Sequence, residues 1–213
     1  MPVPTFEQMR DAVVAGDIEL ARSLGKAAVE GGVDLLAAVE TGFAAGIREV
    51  GRLWEEGEYF LPERVQGAEA MKAAMAVISP VLTAARSGHQ PKGKVVIGTV
   101  QGDLHDIGKT LVGTMLEANG FEVHDLGADV PVETFVRKAR EVGAHIIGAS
   151  ALLTTTMAVQ RELCERVRAE GVGSKVHVLI GGSPTTPGWA ESIGAAFAEN
   201  AQRAVAVAEK LVT

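Results

Sequence analysis

Residues 98–110 read "GTVQGDLHDIGKT" and follow a strand-like run, Lys94 to Ile97. The stretch nearly spells a phosphate-binding P-loop, because Gly102 is followed by Gly108-Lys109-Thr110. The count is one residue too long, and the interior holds Asp103, His105 and Asp106. A phosphate cradle works through backbone N–H groups, and carboxylates inside it would repel the ligand. A glycine-flanked turn carrying Asp-x-His therefore calls for different chemistry.

Working outward, short apolar runs occur at Val95–Ile97, Phe121–Leu126, Ile146–Ala149 and Val176–Ile180, each followed by a helix-length segment. Alternating strand and helix predict a parallel sheet covered by helices on both faces. A very short fifth strand is expected near Ala196–Ala198, and a terminal helix from about Asn200. In such open sheets ligands bind beyond the carboxyl ends of the strands, where strand order reverses. Asp103 and His105 follow strand one, Ser150 to Thr156 follow strand three, and Gly181-Gly182 follow strand four. Three loops thus converge on one crevice.

Before residue 86 the period is different. Leu36, Val39, Phe43, Ile47, Val50 and Trp54 recur at steps of three and four, as do Val65, Ala68, Met71, Met75, Ile78 and Leu82. That is the spacing of a buried helical face. Pro62 is placed to open the second of these helices, and Pro80 should kink it or begin a new turn. Two shorter helices are expected at 5–15 and 18–30, with Asp17 as an N-cap. Four helices with short connections make an antiparallel bundle. The polar segment "RSGHQPKGK", 86–94, marks the boundary, giving a helical domain 1–88 and an α/β domain 89–213.

Composition narrows the function. The 213 residues are 47% hydrophobic with a formal charge of −7, and no dense Lys/Arg cluster offers a nucleic-acid surface. No apolar stretch reaches the ~20 residues that span a bilayer, and the N-terminal segment lacks a signal-like apolar core. A cytoplasmic protein, with no membrane and no nucleic-acid partner, is the expectation. The single cysteine, Cys164, lies in a helical pattern and reads as a passive core thiol rather than a nucleophile.

An aspartate two residues from a histidine can accept one imidazole N–H and leave the other nitrogen's lone pair directed outward, fixing tautomer and orientation. A zinc ion would need further ligands, yet strand three ends in Ser150 and strand four in glycines, while His124, His145 and His177 fall in or at the start of strands. A metal that arrives inside a macrocycle needs one protein ligand, and glycine turns let a bulky cofactor lie against bare backbone.

"DLHDIG" resembles the D-x-H-x-x-G signature of cobalamin-binding domains, in which Asp103, Leu104, His105, Asp106, Ile107 and Gly108 occupy the motif. "SAL" (Ser150, Leu152) resembles the S-x-L element, and Gly181-Gly182 the glycine pair that completes the set. "LWEEGEYFLPERVQGAEAMKAAM" is similar to the helical cap of methionine synthase and of the corrinoid proteins serving methanol, methylamine and aryl methyl ether methyltransferases. The resemblance spans nearly the whole chain and implies a four-helix cap followed by a Rossmann-like (flavodoxin-like) α/β domain.

It further implies that His105 replaces dimethylbenzimidazole as the lower ligand of cobalt, that Asp103 bonds the far imidazole nitrogen, and that Thr156 bonds Asp103. A serine often stands at this third place. Gly108, Ser150, Leu152, Gly181 and Gly182 would line a slot for the displaced nucleotide tail, with Thr154 a further hydroxyl. Trp54 and Leu61 match cap positions over the methyl-bearing face, and 86–94 would hinge the cap. The cofactor implied is cobalamin, as methylcobalamin or a related corrinoid.

The partners implied are a substrate-specific methyltransferase, a second corrinoid:acceptor methyltransferase and a reductive activator. The chain then acts as a methyl-carrier subunit rather than a catalyst on its own. A cobalamin-dependent regulator or photoreceptor is the alternative, but such proteins tend to carry a Glu-His pair about ten residues after the tryptophan, and none follows Trp54. A mutase small subunit usually has the sheet domain alone. A phosphoacceptor receiver would want an aspartate where Ser150 stands. The run "IGAAFAENA" departs from the family's I-G-A-D-x-Y-x-x-D-A at Phe197 and Asn200, which affects expectations for the fifth strand but not for the cobalt ligand.

Overall fold

The computed structural model describes residues 3–84, 90–170 and 176–213. The chain divides into two compact units, Met1–Ser87 and Gly88–Thr213. Residues 86–89 of the segment expected to act as a hinge, including the 88/89 boundary, lie outside the described residues.

The first unit is helical: α1 (Phe6–Val14), α2 (Ile18–Glu30), α3 (Leu35–Ala37), α4 (Ala44–Glu55) and α5 (Leu61–Ala84). Thr5 and Gln8 form a reciprocal capping box on α1, and the Asp17 carboxylate caps α2 by accepting Leu20 N–H at 2.9 Å. Between α3 and α4 the backbone widens into a π-helical segment, Ala38–Phe43, inside what the apolar periodicity read as one helix. A π-turn inserts a residue without ending the helix, so the periodic stripe survives across it. Phe43, Met9, Met71 and Ile78 are fully buried in this unit. Close packing of α1 on the π-segment and α4 requires the small Gly42 and Gly46, since a Cβ at Gly46 would lie 2.7 Å from Arg10 O. Pro80 sits inside α5, which continues beyond it to Ala84.

The second unit holds a parallel sheet in the order β2-β1-β3-β4-β5, formed by β1 (Lys94–Thr99), β2 (Glu122–Asp125), β3 (Ile146–Ser150), β4 (His177–Gly181) and β5 (Ala196–Phe197). Helices α6 (Ile107–Ala118) and α10 (Ala201–Leu211) pack on each other, as do α7 (Val132–Val142) and α8 (Met157–Ala169), while α9 (Pro187–Ile193) joins α8. β1, β3 and β4 bury nearly every side chain, as continuous apolar runs in a sheet covered on both faces should. Phe135 of α7 is fully buried against Gly98 of β1, where a Cβ would come within 2.8 Å of its ring. The altered run after β4 still forms β5, and Asn200 caps α10 by accepting Arg203 N–H.

Strand order reverses between β1 and β3, which are neighbours although β2 intervenes in sequence. The loops after β1 and β3 therefore open side by side at the carboxyl edge, where a crevice is expected. His124 lies on the edge strand β2 with Nε2 2.8 Å from Glu122, and His145 Nδ1 accepts Lys94 N–H at 3.1 Å. Burial pushes the Cys164 thiol up to about 11, which makes it inert as a nucleophile at neutral pH.

Candidate functional site

β1 ends at Thr99, and the chain turns through Gly102 at φ 83° before α6 begins at Ile107. Asp103 lies at the bottom of this turn with no solvent exposure. A buried carboxylate is costly unless its oxygens are paired, and here both are. Oδ1 accepts His105 Nδ1–H at 2.7 Å and His105 N–H at 3.1 Å. Oδ2 accepts the N–H groups of Leu152 at 2.7 Å and Leu153 at 3.1 Å, and it lies 3.0 Å from Thr156 Oγ1. That hydroxyl is also 2.8 Å from Leu153 O, so its single proton serves one acceptor at a time. Burial by itself would raise the Asp103 pKa. The bonds from the His105 ring, Leu152 N–H, His105 N–H and Thr156 outweigh it and hold the group down to about 2.

An ionised carboxylate can only accept, so the proton of neutral His105 sits on Nδ1 and the Nε2 lone pair is free. The His105 side chain is 44% exposed, and no described residue bonds its Nε2. The arrangement presents one oriented nitrogen to a ligand. Among the described residues no group of three or more His, Cys, Asp or Glu could enclose a bare metal ion. A metal already held by a macrocycle is the kind of centre that fits one such nitrogen.

The other expected residues divide according to what the structure brings together. Leu152 and Thr156 meet Asp103, whereas Thr154 is exposed and makes no bond to it. Ser150 ends β3, half-buried, in register with Thr99 and Gly181. Leu104 is 76% exposed beside His105, while Asp106 and Ile107 are half-buried at the start of α6. The glycines differ in kind. A Cβ on Gly182, at φ 126°, would lie 1.8 Å from Ala151 O, so the β3 and β4 loops themselves demand a glycine there. At Gly108 a Cβ would meet nothing within 4 Å. The fold does not require that glycine, and its bare backbone leaves room for a group lying against it. Lys109, which a P-loop would aim at phosphate, is instead buried with Nζ on the Asp125 carboxylate.

In the helical unit Trp54 and Leu61 stand at either end of the α4–α5 turn. They are 38% and 62% exposed, with Phe60 at 66% between them. They are not bundle core. The turn beneath them is firmly built: Tyr59 Oη donates to Val14 O at 3.1 Å, Glu63 accepts Phe60 N–H at 3.0 Å, and the Arg64 guanidinium lies 5.1 Å over the Trp54 ring.

Leu153 and Thr99 went unread in the sequence. Leu153 gives its N–H to Asp103 and exposes its side chain beside Leu152. Thr99 is fully buried, and its Oγ1 donates to His105 O at 2.9 Å, which pins the His105 backbone to the end of β1. A lone hydroxyl closing the apolar run "KVVIGT" was the available signal for Thr99; nothing in "SALLTTT" separates Leu153 from Leu152.

Two families, each described as B12 binding domain, match this chain, one over residues 93–208 and one over residues 5–79. Dimethylamine corrinoid protein 2 of Methanosarcina mazei is 50% identical over 82% of this chain and 81% of its own length. The structure of the Methanosarcina barkeri monomethylamine corrinoid protein matches with a TM-score of 0.87 and 38% identity over 97% of each chain. A chain of the methanol:cobalamin methyltransferase complex MtaBC from Methanosarcina barkeri matches with a TM-score of 0.56 and 28% identity, over 97% of this chain and 79% of that one. The chain belongs to the B12-binding corrinoid proteins.

Proposed function

We propose that this B12-binding chain is the methyl-carrying subunit of a multi-component methyltransferase, with His105 Nε2 as the lower ligand of the corrinoid cobalt. The observation that carries the reading is Asp103: a fully buried carboxylate with both oxygens engaged, orienting one imidazole at the point where strand order reverses. When bound, the corrinoid supplies a cobalt centre that takes up a methyl group from one partner's substrate and gives it to a second partner's acceptor. The protein's part is to hold and orient.

Asp103 keeps the His105 proton on Nδ1, which leaves Nε2 as the nitrogen that would hold the cobalt. Thr156 keeps the carboxylate in place from the far side. The open backbone at Gly108, with Ser150, Leu152, Gly181 and Gly182, would seat the nucleotide tail. Trp54 and Leu61 would contact the methyl-bearing face and shield it from water, oxygen and light. The partners are a substrate-specific methyltransferase, a second corrinoid:acceptor methyltransferase and a reductive activator. Support for such partners comes from the similarity to a chain of a methyltransferase complex and to proteins named for methylamines. Choice of methyl donor would lie with the partner enzyme.

The test is reconstitution of the full chain with hydroxocobalamin. Retention of one corrinoid per chain, read from the visible spectrum after gel filtration, is expected. In the cobalt(II) form the wild type should show imidazole nitrogen splitting by electron paramagnetic resonance, and His105→Ala should lose it while keeping the corrinoid. An unchanged splitting in the variant would defeat the ligand assignment.

A further inference from the structure

The His105 turn is gripped from outside by a residue that no part of the site motif contains. Asp129 lies in the loop after β2 at φ 56°, the one non-glycine residue with positive φ among the described residues. Its Oδ1 accepts Gly102 N–H at 2.7 Å, and its own N–H donates to Asp103 O at 3.0 Å. One residue thus takes hold of the two consecutive residues that lead into the imidazole.

The left-handed region is strained for any residue bearing a Cβ, with Asp and Asn the most tolerant. Such strain persists where the surroundings over-determine the backbone, and it gathers at functional sites. The surroundings here are rigid. Asp125, paired with buried Lys109, accepts Gly127 N–H at 2.8 Å. Thr99 bonds the loop on both sides of Asp129, through Thr99 N–H to Gly127 O at 2.9 Å and Val130 N–H to Thr99 O at 3.0 Å. The same Thr99 holds His105 O through its hydroxyl. A glycine at 129 would adopt this φ without strain, so what the aspartate adds is its carboxylate on Gly102.

We infer that Asp129 is a positioning residue: it fixes the Gly102–Asp103 backbone so that the His105 ring keeps its place whether or not Nε2 is engaged. The bonds to the loop after β3 hold the Asp103 carboxylate, whereas Asp129 holds the backbone at Gly102 and Asp103 from the β2 side. The inference rests on the proposal that His105 is the cobalt ligand.

Two variants of the full chain test it. Asp129→Gly removes the carboxylate and the strain together; relief of strain offsets the lost bond and the freedom glycine gives the unfolded chain, so its melting temperature should stay near that of the wild type. Asp129→Asn tolerates the left-handed region and keeps an oxygen acceptor. In the apoprotein, amide hydrogen exchange at Gly102 and His105 should quicken roughly tenfold in Asp129→Gly and stay near wild type in Asp129→Asn. After reconstitution with hydroxocobalamin and reduction to cobalt(II), Asp129→Gly should lose at least about half of the imidazole-split signal, and Asp129→Asn should restore it.

Unchanged exchange in Asp129→Gly overturns the inference, as does faster exchange with an undiminished splitting. If the wild type shows no imidazole splitting, it is the ligand assignment that falls, and the exchange measurement still decides whether Asp129 holds the turn.

Discussion

In the sheet unit a carboxylate is sealed from solvent with donors on both oxygens, whereas in the helical unit Phe60 and Leu61 stand mostly in solvent with Trp54 beside them. Each departs from the ordinary partition of polar groups outward and apolar groups inward, and such departures are the informative part of a burial pattern. The two differ in how they are held. Asp103 is fixed by bonds from its own turn and from the loop after β3, so the imidazole it orients is set before any ligand arrives. The exposed side chains at the α4–α5 turn have a rigid backbone beneath them but little covering them. A group that orients one nitrogen needs rigidity, whereas the covering role proposed for the turn would need only shape and hydrophobicity.

The comparison breaks most readily at Asp103. Asp103→Ala strands the N–H groups of Leu152, Leu153 and His105 in the interior, and it should cost about 3–5 kcal/mol, the range found on removing one partner from a buried charged set. Urea denaturation of the apoprotein measures it. A loss under about 1 kcal/mol would mean that the set carries no more than a surface group.

Acid should draw out a smaller share of the same energy. The folded Asp103 pKa, about 2, lies below the ordinary 3.8, so its contribution is fully present above pH 4 and drains as pH falls towards 2. The difference is roughly 2 kcal/mol. The stability gap between wild type and Asp103→Asn should therefore narrow by that amount over the window, as read from urea midpoints at each pH. A constant gap would place the Asp103 carboxyl in an ordinary environment.

The exposed pair should behave in the opposite way. Trp54→Ala with Leu61→Ala should cost about 1 kcal/mol or less, because neither is core, whereas Phe43→Ala, fully buried in the same unit, should cost about 3–5 kcal/mol. The double variant should nevertheless speed photolysis of bound methylcobalamin several-fold. A folded variant with an unchanged photolysis rate removes the shielding role. A similarly small effect is expected of Thr156→Ser, which keeps the hydroxyl on Asp103 and loses one buried methyl, for under about 1.5 kcal/mol by thermal unfolding. A larger loss would show that the methyl, packed near Gly102, matters more than the bond.

Much of this was legible in the chain because its cause is local. Strand and helix periods mark both units, and the two-residue spacing of Asp103 and His105 is enough for their bond, since a turn brings such neighbours together without help. The resemblance set Thr156 against Asp103, and 53 residues separate the two; Leu152, expected along a slot for the nucleotide tail, gives its N–H to the same carboxylate across 49 residues. Other features left no local trace. The π-segment at Ala38–Phe43 keeps the apolar stripe while changing the hydrogen bonding, so periodicity alone passes over it. Whether Trp54 is core or surface depends on which face of α4 the other helices cover, and a stripe of apolar residues looks the same in either case.

The residues 94–110 by themselves determined a strand, a glycine turn and an imidazole oriented by its neighbouring carboxylate, because sterics and short-range hydrogen bonds act along the chain. Only the tertiary structure decided that Leu153 and Asp129 complete the turn. Those bonds exist because β1 lies between β2 and β3. Strand order follows from the packing of the whole sheet unit, and no single segment of sequence contains it.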